Sequence, residues 1–104
     1  MKPNKMAADY HILLNLKTCE GYENYGKFNI GKSRETALAL YHSLHGNEDD
    51  SVDFPLQIEL REYVTGLPME VKLLNCTLEE LGTNCKLITR EVFKQINMKE
   101  MDDL

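Results

Sequence analysis

The sequence has no tryptophan, three prolines and three cysteines. Three thiols cannot all pair within one chain, and no C-x-x-C occurs. Cys19, Cys76 and Cys85 therefore define neither a disulfide framework nor a zinc-ribbon or thioredoxin-type site. The expectation is reduced, semi-buried thiols in a cytoplasmic protein. Positive charge is also short: 12 Lys and Arg against 17 Asp and Glu leave a net charge of −5. That is the wrong sign for neutralising nucleic-acid phosphates or for docking on an anionic membrane surface. No apolar run approaches the length of a membrane span, the longest near the N-terminus being Ile12-Leu13-Leu14. The opening MKPNKMAADY has no apolar segment of the secretory type. Low-complexity tracts, internal repeats and linker-like stretches are missing too. A chain of 104 residues is read as one domain, 1–104, with 1–8 and 99–104 as flexible ends.

What is present is clear periodicity. Tyr10, Ile12, Leu14 and Leu16 alternate, the pattern of a strand with one buried face. Residues 24–30 form a second strand candidate, with Phe28 and Ile30 on one face and Lys27 and Asn29 on the other. Ser33 can cap a helix over about 33–45, with Glu35 near its positive end and Ala37, Leu40, Tyr41 and Leu44 at helical spacing. Gly46 is a natural stop. The acidic stretch NEDDSVD, 47–53, reads as a loop. Leu56, Ile58 and Leu60 alternate again, Thr65-Gly66-Leu67-Pro68 reads as a turn, and Met69, Val71 and Leu73 complete a hairpin. Thr77 and Glu80 form a capping box. Behind them Leu78, Leu81, Cys85, Ile88, Val92 and Ile96 make one helical stripe over about 77–97. Gly82 inside it leaves one helix or two nearly collinear ones open.

The order is β-β-α, β-β-α. The fold class is α+β: a four-stranded, mainly antiparallel sheet with both helices on one face. A circularly permuted ferredoxin-like sandwich is one arrangement that fits.

Several residue groups invite a functional reading. GKFNIGKS, 26–33, matches the phosphate-binding pattern G-x-x-x-x-G-K-[ST]. However, Lys27 to Ile30 alternate like a strand, the residues before Gly26 are not a buried apolar strand, and no Walker-B partner follows. Lys32 and Ser33 read first as a turn and a cap, with nucleotide binding as a third-rank alternative. His42 and His45 lie three apart, followed by Asp49, Asp50 and Asp53. Two imidazoles and a carboxylate can hold zinc or iron, but the spacing fixes no further ligand, so no metal and no cofactor are assigned. Tyr10 and His11 open the first strand, and an outward imidazole there can serve acid–base chemistry. Glu59 and Arg61 share a polar strand face, with Lys72 expected opposite. Leu87, Met98 and Met101 fall off the main stripe of the last helix. A sheet face bearing Leu13, Tyr25 and Tyr63 lacks a cover. Both hint at a homodimer.

The reading that follows is a small soluble binding or regulatory module, acting as a homodimer or on a protein partner, with no nucleic acid or membrane as target. The alternative is a small dimeric enzyme with a pocket between sheet and helices, using His11 and Tyr10 or the His42/His45 pair.

Overall fold

The computed structural model describes residues 8–49 and 54–102. Within them the elements are β1 (Ala8–Thr18), β2 (Gly21–Asn29), α1 (Arg34–Ser43), β3 (Leu56–Val64), β4 (Leu67–Cys76) and α2 (Leu78–Asp102). The class is α+β, in the order the periodicities indicate. The expected flexible leader lies, apart from Ala8, outside the described residues, as do residues 50–53 of the acidic loop.

The strands form one sheet in the order β2-β1-β3-β4, and each neighbouring pair is antiparallel. A permuted ferredoxin-like sheet finds no support in this order. β2 and β3, joined through α1, run parallel with β1 between them as in a split β-α-β unit, but permuting that fold would place β2 and β4 in the centre of the sheet, where this chain has β1 and β3. One face of these two strands supplies the centre of the sheet's share of the core: Tyr10, Ile12 and Leu14 from β1, and Leu56, Ile58 and Leu60 from β3. Thr65 and Gly66 both take positive φ, at 50° and 86°. That is the primed two-residue turn that suits twisted strands, so the strand resumes at Leu67. Leu67 and Pro68, expected in the turn, belong to β4. Pro68 is tolerated there because β4 is an edge strand. Asn47 bridges to Asn75 on the outer side of β4 and occupies part of that edge.

Ser33 caps α1, its Oγ accepting from the Thr36 N–H at 3.1 Å. Ala37, Leu40, Tyr41 and Leu44 bury one face against the sheet. The helix ends at Ser43 with Leu44 extended, so His45 and Gly46 lie beyond it. Gly46 is not a positive-φ stop. It is needed for close approach, since a Cβ there would stand 2.6 Å from Leu74 Cγ and 2.7 Å from the Asn75 carbonyl oxygen.

The capping box forms as expected: the Glu80 N–H donates to Thr77 Oγ1 at 3.1 Å, and the Thr77 N–H to Glu80 Oε1 at 2.9 Å. The helix then continues unbroken through Gly82 to Asp102, past the expected end near 97. At 1.5 Å per residue its 25 residues span about 37 Å. Two turns in, Asn84 is fully buried. Its Oδ1 accepts from the His45 N–H at 2.7 Å, and its Nδ2 donates to the His45 carbonyl at 2.8 Å and to Cys76 Sγ at 3.4 Å. One amide thus ties together the exit of α1, the end of β4 and the body of α2.

These packings predict opposite outcomes for two glycines. Gly82 meets nothing within 4 Å of a built Cβ, so Gly82→Ala should stabilise by up to ~1 kcal/mol, the helix-propensity difference. Gly46→Ala should cost about 1–3 kcal/mol through overpacking. Asn84→Ala should cost about 2 kcal/mol by stranding the groups it satisfies. Urea unfolding followed by circular dichroism checks all three.

Candidate functional site

Tyr10 and His11 are neighbours in β1, so alternation sends them to opposite faces of the sheet. Tyr10 is in the core, and its hydroxyl donates to Glu62, which also takes Arg34 at 3.4 Å. Burial, then the Glu62 carboxylate, push the Tyr10 phenol up. His11 stands on the face without helices. The two cannot converge on one substrate atom. The His42/His45 pair is likewise split: His42 is in the last turn of α1, edge-on to Tyr41, whereas His45 is past the helix end with its backbone held by Asn84. Asp50 and Asp53 lie outside the described residues. Among the described residues no group of three or more His, Cys, Asp or Glu side chains is arranged to hold a metal ion.

The open sheet face carries a polar network instead. Arg61 Nε and Nη2 donate to Glu59 Oε2 at 2.8 and 2.5 Å, and Asn15 Nδ2 donates to Glu59 Oε1 at 3.4 Å. Asn24 Nδ2 extends the chain to Asn15 Oδ1 at 3.2 Å. Leu73, not Lys72, stands opposite Glu59, because a bulge beside Leu60 and Arg61 shifts the register of β4. Leu13 sits between Lys27 and Glu59. It is only 5% exposed although it lies on the face without helices. Tyr25, expected on this face, sits instead within electrostatic reach of Cys85 and Cys76, on the helix side. A second bulge, at Leu14 and Asn15 against β2, displaces it.

At the other end of that face, His11 packs edge-on to Tyr63 at 4.8 Å, and Lys27 Nζ lies 4.6 Å from the Tyr63 ring centroid. Burial alone would raise the Tyr63 phenol, but Arg61 and Lys27 outweigh it and lower it. Burial, then the charge of Lys27, lower His11 against an opposing pull from Asp9. His11 Nδ1 is buried without a hydrogen-bond partner among the described residues.

GKFNIGKS divides between two elements. Gly26–Asn29 belong to β2, and only the three residues after Ile30 make the turn. A phosphate loop needs free backbone N–H groups curled ahead of the helix. Here the Ile30 N–H donates to the Tyr10 carbonyl and the Gly31 N–H to Asn29 Oδ1.

Helix α2 shows the feature that sequence reading missed. Its expected stripe straddles a boundary. Leu81, Asn84 and Ile88 turn toward the core, while Leu78, Phe93 and Ile96 face solvent at 68, 65 and 53% exposure. At 100° per residue the two sets together make an apolar arc of roughly 180°, of which the fold buries about half. Leu87, expected to project outward, packs partly against the core. Met98 and Met101 have side chains outside the description. On the flank next to the exposed half, Tyr25 is 51% exposed, and the pair Leu16 and Glu23 continues the surface across β1 and β2. On the other side, a groove of about 790 Å³ runs between α1 and α2. Burial pushes the core thiol Cys76 up to about 11. Cys19 is exposed and Cys85 half-buried.

Among the described residues no helix is long and apolar enough to cross a membrane. Comparison with family profiles, curated proteins and solved structures gives no match for this chain.

The environment of His11 makes a pH prediction. Its folded pKa is below the unfolded value, so the unfolded chain binds the proton more readily as pH falls. The stability associated with neutral His11 is present above the ordinary imidazole range and is lost as pH drops through it. His11→Phe keeps the ring contact and removes the proton. Between about pH 7 and pH 5 the melting temperature should fall more steeply in the native chain than in this variant.

Proposed function

We propose that this chain is a small binding module whose working surface is the exposed flank of α2 and β2, and whose first partner is a second copy of itself. The observation that carries this reading is the unused half of the apolar arc on α2. Leu78, Cys85, Phe93 and Ile96 recur along one side of the helix, with Tyr25 within electrostatic reach of Cys85. Partly buried and exposed apolar groups in a continuous strip are the usual mark of an interaction surface rather than of scattered surface residues.

Charge on the two margins of the strip favours self-association. Glu20 and Glu23 are exposed on the strand side, Lys86 and Arg90 on the helix side. A two-fold axis running along the strip sets the strand margin of one copy against the helix margin of the other, so that each acidic rim meets a basic one. The same surface would serve a protein partner with an apolar stripe between opposite charges. The three unpaired thiols accord with a reducing cytoplasmic setting.

Native mass spectrometry and light scattering on the untagged chain test this directly. The expected mass is twice the 12.0 kDa of the chain. Phe93→Asp should return the 12.0 kDa species with unchanged circular dichroism. A native chain that remains a single copy at its highest soluble concentration overturns the dimer. A dimer that Phe93→Asp leaves intact overturns the surface.

A further inference from the structure

The groove between α1 and α2 lies across α2 from the centre of the proposed contact and shares Arg90 with its margin. Its apolar lining comes from Ile30, Ala39, Leu40 and Leu87. Its walls carry three cations: Lys32 ahead of α1, and Arg90 and Lys94 on α2. The last two are one helical turn apart and share a side. Two carboxylates, Glu35 and Glu91, also line it. Glu91 is engaged, accepting from Gln95 Nε2 at 3.0 Å. None of the three cations has a hydrogen bond or ion pair to a described residue, although the chain as a whole has acid in excess. Lys32, Arg90 and Lys94 against Glu35 and Glu91 leave a local excess of one positive charge, within a chain of net −5.

The groove also has shaped polar groups. Ser33 Oγ accepts from the Thr36 N–H, which leaves the hydroxyl proton of Ser33 to be donated elsewhere. Thr36 adds a second hydroxyl to the lining. Gln95 also lines the groove, its Oε1 2.8 Å from where a Gly31 Cβ would stand. Gly31 has φ 97° and no side chain, so the amide can seat against it. The volume lies within the roughly 300–1,000 Å³ of small-molecule pockets, which combine apolar walls with a few placed polar groups.

We infer that the α1–α2 groove binds a small organic anion, its apolar body on Ile30, Leu40 and Leu87 and its phosphate or carboxylate head among Lys32, Ser33, Arg90 and Lys94. This site does not use the phosphate-loop geometry that GKFNIGKS fails to adopt. It needs only cations and a hydroxyl from two helices, and it does not depend on the dimer.

Amide chemical-shift mapping by NMR on the full chain tests it with four probes: phenyl phosphate, benzoate, inorganic phosphate and benzyl alcohol. The expected result is saturable binding of phenyl phosphate or benzoate, with shifts at residues 32–36 and 87–95. Inorganic phosphate and benzyl alcohol, each carrying half the ligand, should bind at least tenfold more weakly. Stronger binding of phenyl phosphate identifies a phosphate ester as the natural class, and stronger binding of benzoate a carboxylate. Arg90 stands on the ridge shared with the flank, so the variants are Lys32→Glu and Lys94→Glu, both at exposed positions. Each should weaken binding about tenfold, with the amide spectrum elsewhere unchanged. Three results overturn the inference: no saturation by either complete probe, shifts confined to the Tyr25 and Phe93 flank, or charge reversal at both lysines without loss of affinity.

Discussion

The Asn84 side chain is the contact on which the arrangement of the layers turns. It is a fully buried polar group in the middle of a helix, an environment that costs stability unless its hydrogen bonds are met. They are met by the backbone of His45, just past α1, and by the Cys76 thiol at the end of β4. Because an amide has directed donors and acceptors, this contact admits one placement of α2 against the chain leaving α1. Apolar packing alone is non-directional and would tolerate a rotation or slide of the helix. Gly46 completes the join by letting that chain lie against Leu74 and Asn75.

Fixing α2 in that rotation has consequences on both of its sides. The helix carries a wider apolar arc than the sheet can cover, so one half becomes core and the other becomes the exposed strip of Phe93, Ile96 and Leu78. The same rotation turns Leu87, Arg90 and Lys94 toward α1 and opens the charged groove. A single buried amide therefore sets which side chains are available for association and which for a small ligand. The face of the sheet that lacks helices is by contrast largely satisfied from within. Glu59 is matched by Arg61 and Asn15, and Tyr63 by Lys27 and His11. Apart from His11 Nδ1, a network whose donors and acceptors largely meet offers fewer groups to a partner, which is why the working surface is proposed on the flank of α2.

Much of the fold was legible in the residues. The alternation of Tyr10, Ile12 and Leu14, and of Leu56, Ile58 and Leu60, marks two strands because a pleated chain exposes successive side chains to opposite faces. Ser33, Thr77 and Glu80 mark helix starts because their side chains satisfy N–H groups that a first turn leaves open. The buried role of Asn84 was also within reach, since 81, 84 and 88 follow helical spacing as well as 81, 85 and 88 do. A polar residue on that line is easily passed over in favour of Cys85. The candidate sites were much less legible. Tyr10 and His11 are adjacent in the chain and on opposite sides of the sheet, and Lys32 and Lys94 are far apart in the chain and line one groove.

The sequence by itself determined the local elements, their order and the α+β class, because these follow from short-range periodicity, caps and turns. Strand order, the antiparallel pairing of β1 with β3, the bulges that displace Tyr25 and Lys72, and the rotation of α2 were decided only in the tertiary structure. Each depends on contacts between residues tens of positions apart. Local pattern states which face of an element is apolar; it does not state which part of that face the rest of the chain is able to cover.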